Sequence, residues 1–520
     1  MRYTNKCLPE DIALKSFFLG PMAENAEWLK ETVNSILEQW CSWRKSCYPS
    51  DGGAISDRDQ NDPAFREMQR AFRENVNELV LRFHSEIPKF SPRYMGHMFS
   101  EISLPALLGH WVALLQNPNN ISSESSRVGV VIEQEAVQAL ARMVGYREDI
   151  VRGHFTSGGS VANFEAVFRA LERAQQMGIS RERGVLLLPL HAHYSWKKSL
   201  KVFGIPEKNV AWLELDDRGR VDLVSYDAEL RRLRSLGSRP VLCVGVVGST
   251  EIGAMDPIEG MKILLDDTFP ESKCWFHVDA AYGGFYAALG DPPSAVRSMC
   301  LADSLTLDPH KLGYVPYAAG AFLCQNSKDY YSVSTDAPYV QYEKNVDSGP
   351  FTLEGSRSAT GAAAVWMVEK TLGLRPEGLG RIIKRTMDVR SEMLSEIQKT
   401  GGVVTALEAG DSNIICLLCP RKGELVSETN RRTLTLYHRL NGSEKPAFTV
   451  SKTLIDRFRY DQLLAKTVEK WGGRWDTEEE SDGLVVLRLC LMNPFTGSKE
   501  MRPKFTREVV QLICSESLSA

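Results

Sequence analysis

No apolar run in this 520-residue chain reaches the roughly 20 residues that a membrane-spanning helix needs. That excludes a helical membrane protein. Nor is there a basic block: 62 Lys and Arg stand against 66 Asp and Glu, for a formal net charge of −4. Nucleic-acid binding is therefore not expected. The opening stretch, MRYTNKCLPEDIALKSFFLG, mixes acids, bases and apolar residues. It lacks an apolar secretory core ending at a small-residue cleavage site, so the expected location is the cytoplasm. A disulfide framework is missing too, because the eleven cysteines are odd in number and irregularly spaced. Cys416 and Cys419 form a CxxC, but no second pair stands at zinc-ribbon spacing. Both lie in NIICLLC, which reads as a buried strand in which free cysteine acts as a small hydrophobe. Internal repeats and long low-complexity segments are absent.

What is present is an ordinary soluble composition, 25% charged and 43% apolar. The length corresponds to two to four domains, or one large domain with lobes. Gly20-Pro21 opens a helix running to about Arg44, with Leu29, Val33, Ile36 and Trp40 on one face. Residues 48–63 are a polar linker. The first fifty residues thus form an arm that packs on its own body or on another subunit. Helical patterns follow at 64–85, 104–116 and 129–144, with SPRYMGHM (91–98) as a loop. From about 153, short apolar runs alternate with helical segments: Val185–Leu188, Val210–Leu215, Val241–Val247, Trp275–Val278 and Leu305–Leu307. That rhythm indicates an α/β fold with a mostly parallel sheet flanked by helices. Further on, Ile414–Leu418 and Leu484–Leu491 read as strands of a smaller α+β domain. The expected division is an N-terminal helical arm (1–85), a large domain (86–370) and a small C-terminal domain (371–520).

Two segments, HVDAAYGG (277–284) and LTLDPHKLG (305–313), begin as strands and end in polar constellations. Ligands of open α/β sheets bind outside the carboxyl ends of strands, where Asp279 and Lys311 would sit. A simple salt bridge is one reading. The other is a lysine Schiff base to pyridoxal phosphate (PLP), with the acid paired to the pyridine nitrogen. FTSGGSVANFEAVFRAL (155–171) supplies a phosphate cradle, since Gly158, Gly159 and Ser160 open a helix whose N-terminus favours an anion. Ser304 is a second candidate phosphate ligand. In HAHYSWKK (191–198), strand alternation puts His191 and His193 on one face. They can pair on a metal, although no third ligand is apparent. One can instead stack on a flat cofactor ring, or both can be structural.

Taken together, HYSWKK, HVDAAYGG and DSLTLDPHK resemble the group II PLP-dependent amino-acid decarboxylases, in family order and spacing. FFLGPMAENAEW (17–28), SPRYMGHM, QNPNN (116–120) and DPHKLGYVPYAAGA (308–321) are similar to the tyrosine decarboxylase branch in particular. The resemblance implies a seven-stranded-type sheet of the aspartate-aminotransferase-like fold type I, PLP as cofactor and no metal. It implies that Lys311 carries the Schiff base, Asp279 pairs with the ring nitrogen, Ala281 packs near the ring and His193 stacks on it. Gly159, Ser160, Ser304 and His310 match phosphate or cofactor contacts, and Thr250 matches a threonine near the ring. Asp308 stands where aromatic amino-acid decarboxylases carry Asn. A carboxylate beside a phosphate is unfavourable, so Asp308 is not counted as a ligand.

For the reaction, Tyr339 matches a mobile-loop tyrosine that reprotonates the substrate carbon in decarboxylases, where aldehyde-forming relatives tend to carry Phe. Arg488 matches an arginine that reaches the substrate α-carboxylate, and Arg357 is a second candidate cation. His97, in the RYMGHM loop, is a candidate for meeting a phenol. The expected reaction is decarboxylation of an aromatic L-amino acid, L-tyrosine to tyramine first. It would take place in a homodimer with active sites at the interface, where Tyr339 comes either from the same subunit or from the neighbour. The alternatives are a same-fold PLP enzyme acting on glutamate or aspartate, one giving an aldehyde or C–C lyase product, a catalytically silent partner subunit, and a metal hydrolase using His191 and His193.

Overall fold

The computed structural model describes residues 10–180, 183–271, 273–335, 342–343, 346–442, 446–476, 482–498 and 500–519. Its strands are β1 (Tyr94–Met95), β2 (Arg152–Thr156), β3 (Gly184–Pro189), β4 (Val210–Leu213), β5 (Arg239–Val246), β6 (Trp275–Asp279), β7 (Ser304–Leu307), β8 (Gly320–Cys324), β9 (Thr405–Ala406), β10 (Ile414–Leu418), β11 (Thr449–Asp456) and β12 (Gly483–Cys490).

Seven of them form one sheet in the order β2-β8-β7-β6-β5-β3-β4. Neighbours from β4 through β7 pair in parallel, and β8 alone runs against both β2 and β7. Every residue of β3, β6, β7 and β8 is buried. That is why β3 and β8 appear in the sequence as unbroken apolar runs, while β6 and β7 carry a few buried polar residues among apolar ones. Helices cover both faces. The helix Gly159–Gln176 lies across β5, β6, β7 and β8 and buries Ala162, Ala166, Ala170 and Ala174 against them. Four alanines let the helix axis approach the sheet closely. Gly129–Val144 and Thr360–Thr371 pack together on the other side.

The C-terminal part is α+β, with a five-stranded sheet in the order β1-β11-β12-β10-β9. Its first strand comes from far upstream: Tyr94–Met95 pairs in parallel with Thr449–Val450. Helices Leu379–Gln398, Val426–Asn441 and Arg502–Ser519 enclose a second apolar core around Met393, Leu417, Leu487 and Phe505. Cys416 and Cys419 are buried free thiols, and burial pushes Cys416 up to about 12, so the CxxC is inert packing. Helices Ala26–Cys47 and Pro63–Phe83 bury none of their side chains.

A buried polar knot ties the two parts together. Asn413, fully buried, accepts hydrogen bonds from Tyr282 and from Tyr286 (2.8 Å) and donates to Thr386 Oγ1 (3.1 Å) and Leu491 O (3.0 Å). Each buried group left unpaired costs about 1–3 kcal/mol. Asn413→Leu is therefore expected to lower unfolding free energy by about 3 kcal/mol in urea titration, whereas a loss below about 0.5 kcal/mol would show the knot to be incidental.

Candidate active site

The carboxyl ends of the parallel strands open into a cavity of about 350 Å³. Lysine, carboxylates, histidines and a helix N-terminus converge on it from segments far apart in the chain, between Gly158 and Lys311. Asp279 is the last residue of β6 and sits beside Val246, the last of β5. Its Oδ2 accepts from Asn163 Nδ2 (2.8 Å) and Trp196 Nε1 (3.0 Å), and among the described residues its Oδ1 meets only the Ala281 N–H, at 3.3 Å. The carboxylate is thus held on one side and open to a further cationic N–H donor on the other.

Lys311 follows β7 on a turn, and its Nζ lies 3.0 Å from Asp308 Oδ2. Asp308 is buried, and its Oδ1 has no hydrogen-bond partner among the described residues. Next to it, His310 stacks on Tyr317 with ring centroids 4.0 Å apart and accepts the Ala319 N–H at Nδ1 (3.2 Å). Burial first, and then the charge of Lys311, keep the His310 imidazole below the usual histidine range.

Gly158 and Gly159 bring the start of the 18-residue helix Gly159–Gln176 to the cavity, with Ser160 beside them. A Cβ on Gly159 would stand 2.9 Å from Asp308 Oδ2, so only glycine lets this backbone pass. Gly248, at φ +89°, does the same on the opposite wall, where a Cβ would meet Gly283 N at 2.8 Å. Thr250 and Ala281 also line the cavity.

His193 lies four residues beyond β3 and caps the helix Tyr194–Val202, accepting the Ser195 N–H at Nδ1 (3.3 Å). Burial is the main cause of its lowered pKa. His191 is buried on a turn, with Nε2 3.0 Å from Asp256 Oδ1. Both histidines lie past the end of β3, so the strand alternation expected of them does not apply. No group of three or more metal-ligating side chains occurs among the described residues.

Not every expected residue reaches the cavity. Ser304 opens β7 at the far end of the sheet, fully buried, and its hydroxyl is engaged by Trp275 Nε1 and His277 Nδ1, each at 2.7 Å. Arg357 is also buried elsewhere: it pairs with Glu133 (3.2 Å) and bonds Thr352 Oγ1 (3.0 Å) and Asn120 O (3.2 Å). Arg488, on β12, donates from Nε to Glu251 O (3.1 Å), and its buried Nη2 has no partner among the described residues. It stands behind the Thr250–Glu251 loop rather than in the wall. His97 is exposed, and Met98 beside it turns to the cavity. Tyr339 lies outside the described residues. Conversely, Asn163, Ser195 and Trp196 were given no role from sequence, although Asn163 follows Gly159 by one helical turn and the other two stand within HYSWKK.

Behind Asp279, His277 is completely buried and held down at about 4 by that burial. An unfolded histidine takes up its proton near 6.5, so between about pH 6.5 and 4 the unfolded chain binds more protons than the folded one. Stability is therefore expected to rise with pH through this window and to be lost as pH falls, by up to about 3 kcal/mol. Urea midpoints at neutral and acidic pH should show a steeper acid loss for the wild type than for His277→Gln; equal losses would contradict it.

Chemically, the cavity offers an amine for an aldehyde, a carboxylate for a cationic ring nitrogen, an imidazole for a ring face and a helix N-terminus for an anion. Comparison with known proteins gives the same picture. The model of the pyridoxal-dependent decarboxylase conserved domain matches residues 58–418. An L-tyrosine decarboxylase of Levilactobacillus brevis is 28% identical, covering 99% of this chain and 97% of its own length. An L-aspartate decarboxylase of Thermococcus kodakarensis is 32% identical over 71% of this chain and 90% of its own. The crystal structure of Rhodiola rosea 4-hydroxyphenylacetaldehyde synthase superposes with a TM-score of 0.69 at 15% identity, covering 95% and 98% of the two chains, which shows the shared fold. The chain therefore belongs to the pyridoxal-dependent decarboxylases, and is a PLP-dependent carboxy-lyase acting on an amino acid.

Proposed function

We propose that this enzyme decarboxylates an aromatic L-amino acid, with L-tyrosine, giving tyramine and CO2, as the first candidate. The observation that carries this is the match to an L-tyrosine decarboxylase at 28% identity over 99% of this chain, where an L-aspartate decarboxylase aligns with 71% of it and an aspartate 1-decarboxylase, 25% identical, with 89%. The cavity wall agrees. An acidic side chain would need a fixed cation, and Lys311 is the sole Lys or Arg among the described lining residues, which include Tyr194, Tyr282, Tyr317 and Met98.

In this reading PLP supplies an electron sink for the bond that breaks. Lys311 would hold its aldehyde covalently, and its amine would be the group that the substrate amine replaces. Asp279 keeps the ring nitrogen protonated with Oδ1, its other oxygen being occupied. His193 covers the ring, Ala281 and Thr250 flank it, and His310 borders it. Gly158, Gly159 and Ser160 take the phosphate at the helix N-terminus. Arg488 stands behind the Thr250–Glu251 loop and would have to reach past it to meet the α-carboxylate, and His97 belongs to the outer rim. Proton return to the substrate carbon falls to Tyr339 or His193.

The same reading makes the enzyme a cytoplasmic homodimer, with the arm of one subunit on the other and the active sites at the interface. Its support is apolar surface. Met68, Phe72, Val76, Leu79 and Phe83 step along one face of Pro63–Phe83, each more than half exposed. A further groove of about 670 Å³ runs between Ile36, Trp43, Leu108, Val112 and Trp366. Phe72→Glu combined with Val76→Glu is expected to convert a dimer seen by light scattering into monomer with little activity; an active wild-type monomer would overturn this part.

For the substrate, CO2, amine and aldehyde are measured together for each of the twenty amino acids with added PLP. Tyramine and CO2 in equal amounts, without aldehyde, are expected. Faster turnover of glutamate or aspartate, or aldehyde as the main product, would replace the proposal with the corresponding alternative.

A further inference from the structure

The proton on His193 can be located from the hydrogen bonds around it. Asp279 is the fixed point, because a carboxylate only accepts. Asn163 must therefore turn its amide nitrogen toward Asp279 Oδ2 (2.8 Å), and the same Nδ2 reaches Ser195 Oγ at 3.1 Å. The reverse orientation would set two acceptors against each other. With Nδ2 so placed, Asn163 Oδ1 faces Thr306 Oγ1 at 2.7 Å and takes that hydroxyl's single proton. Thr306 then has no proton left for His277 Nε2, 3.2 Å away, so His277 donates there. Since burial keeps His277 neutral, its Nδ1 is bare and accepts the Ser304 hydroxyl (2.7 Å), whose oxygen in turn accepts from Trp275 Nε1 (2.7 Å). Every donor in this chain of seven side chains meets an acceptor, and the direction is forced at each step.

At the other end, Ser195 Oγ accepts from Asn163 and has one proton to give, and His193 Nδ1 lies 2.8 Å away. The Ser195 backbone N–H points at the same Nδ1, at 3.3 Å, and can only donate. Two donors on Nδ1 leave no room for a proton there.

We infer that this network holds His193 as the tautomer protonated on Nε2, with Ser195 and Asn163 acting as positioning residues that join the acid Asp279 to the histidine. The inference rests on the reading that both residues face the cofactor, and it deepens that reading in one respect. A ring fixed with its N–H on the side away from the helix cap presents a donor, not an acceptor, to whatever lies beyond Nε2. His193 is then equipped to give a hydrogen bond or a proton and cannot act as a base without first losing the Ser195 contacts. The network uses only Oδ2 of Asp279 and leaves Oδ1 with the Ala281 N–H and room for a further donor, so positioning the histidine and pairing the ring nitrogen do not compete.

The test is 15N NMR of the apoenzyme labelled at its nine histidines, with the His193 signals assigned by their loss in His193→Gln. At neutral pH the two nitrogens are expected to report a bare Nδ1 and a protonated Nε2. Ser195→Ala is expected to give a mixed tautomer and roughly a tenfold lower kcat, the worth of about one net hydrogen bond, with KM little changed. Ser195→Thr, which keeps the hydroxyl, should restore both. A wild-type His193 protonated on Nδ1 overturns the inference, as does a Ser195→Ala enzyme with unchanged tautomer and kcat. If Ser195→Ala does not fold, the wild-type spectrum alone decides. Borohydride trapping of PLP on Lys311 is run in parallel: failure of trapping with the expected tautomer counts against the cofactor reading, and the converse result counts against the network.

Discussion

A Lys311→Ala enzyme is expected to release CO2 at least about a thousandfold more slowly than wild type, a loss of roughly 4 kcal/mol of barrier lowering. Two effects add. In the proposed reading the covalent hold on the cofactor aldehyde would be lost, and with it the exchange that would admit the substrate amine. In addition, Asp308 loses the cation 3.0 Å from its Oδ2, while its Oδ1 already has no partner among the described residues. Removing one member of a buried pair leaves an uncompensated charge, at a cost of about 3–5 kcal/mol. Part of that cost should appear as weaker cofactor binding, measurable by dialysis. The decisive pair of measurements is CO2 release at saturating PLP and the disappearance of the visible chromophore together with borohydride-trapped Lys311 peptide. A variant that keeps wild-type turnover would remove Lys311 from the chemistry.

The second large effect is expected from Asp279→Asn, which keeps the shape and removes the charge. The amide oxygen can take the place of Oδ2 and keep both donors, Asn163 Nδ2 at 2.8 Å and Trp196 Nε1 at 3.0 Å, which puts the amide nitrogen in the place of Oδ1, a donor against the Ala281 N–H. It also leaves the ring nitrogen without an acid to hold its proton. Together these are expected to lower kcat/KM by about 10²–10³-fold, in keeping with about 3–5 kcal/mol for a truncated buried pair. Asp279→Glu, which restores the charge at the wrong reach, should recover only part of it. The check is steady-state kinetics with PLP held in excess. An Asp279→Asn enzyme within threefold of wild type would mean that the carboxylate supports the fold and not the reaction.

Much of the large sheet was legible because its strands are buried on both faces. Val185–Leu188, Trp275–Val278 and Leu305–Leu307 were readable as apolar runs and fall within a residue or two of β3, β6 and β7. The helix at 129–144 was readable for the opposite reason, since it has one buried and one wetter face, whereas 104–116 is apolar almost throughout and exposes Leu107, Val112 and Leu114. β8 and β11 were not anticipated. β8 is short and runs against its neighbours, and β11 is partly exposed, with the pattern of a surface strand. Nor did anything in RYMGHM announce that Tyr94–Met95 would join a sheet formed by residues more than 300 positions later.

At the site, local order in the chain was a good guide wherever a residue follows a strand's carboxyl end, and a poor one elsewhere. Asp279, Lys311, His193 and the Gly158–Gly159 turn all lie beyond such ends, and all line the cavity. Ser304 is only seven residues from Lys311, but three strand steps of about 3.3 Å carry it roughly 10 Å to the other end of the sheet. Arg357 looked available until the fold brought Glu133 to it from another helix. The sequence by itself determined the chemical inventory: which side chains exist, which follow a strand, and which motif they spell. Only the tertiary structure decided which of them meet. Hydrogen bonds and ion pairs are satisfied between segments that loop closure brings together, and neither the links of Asn163 to Ser195 and Asp279 nor the pairing of Arg357 with Glu133 is contained in any one of those segments.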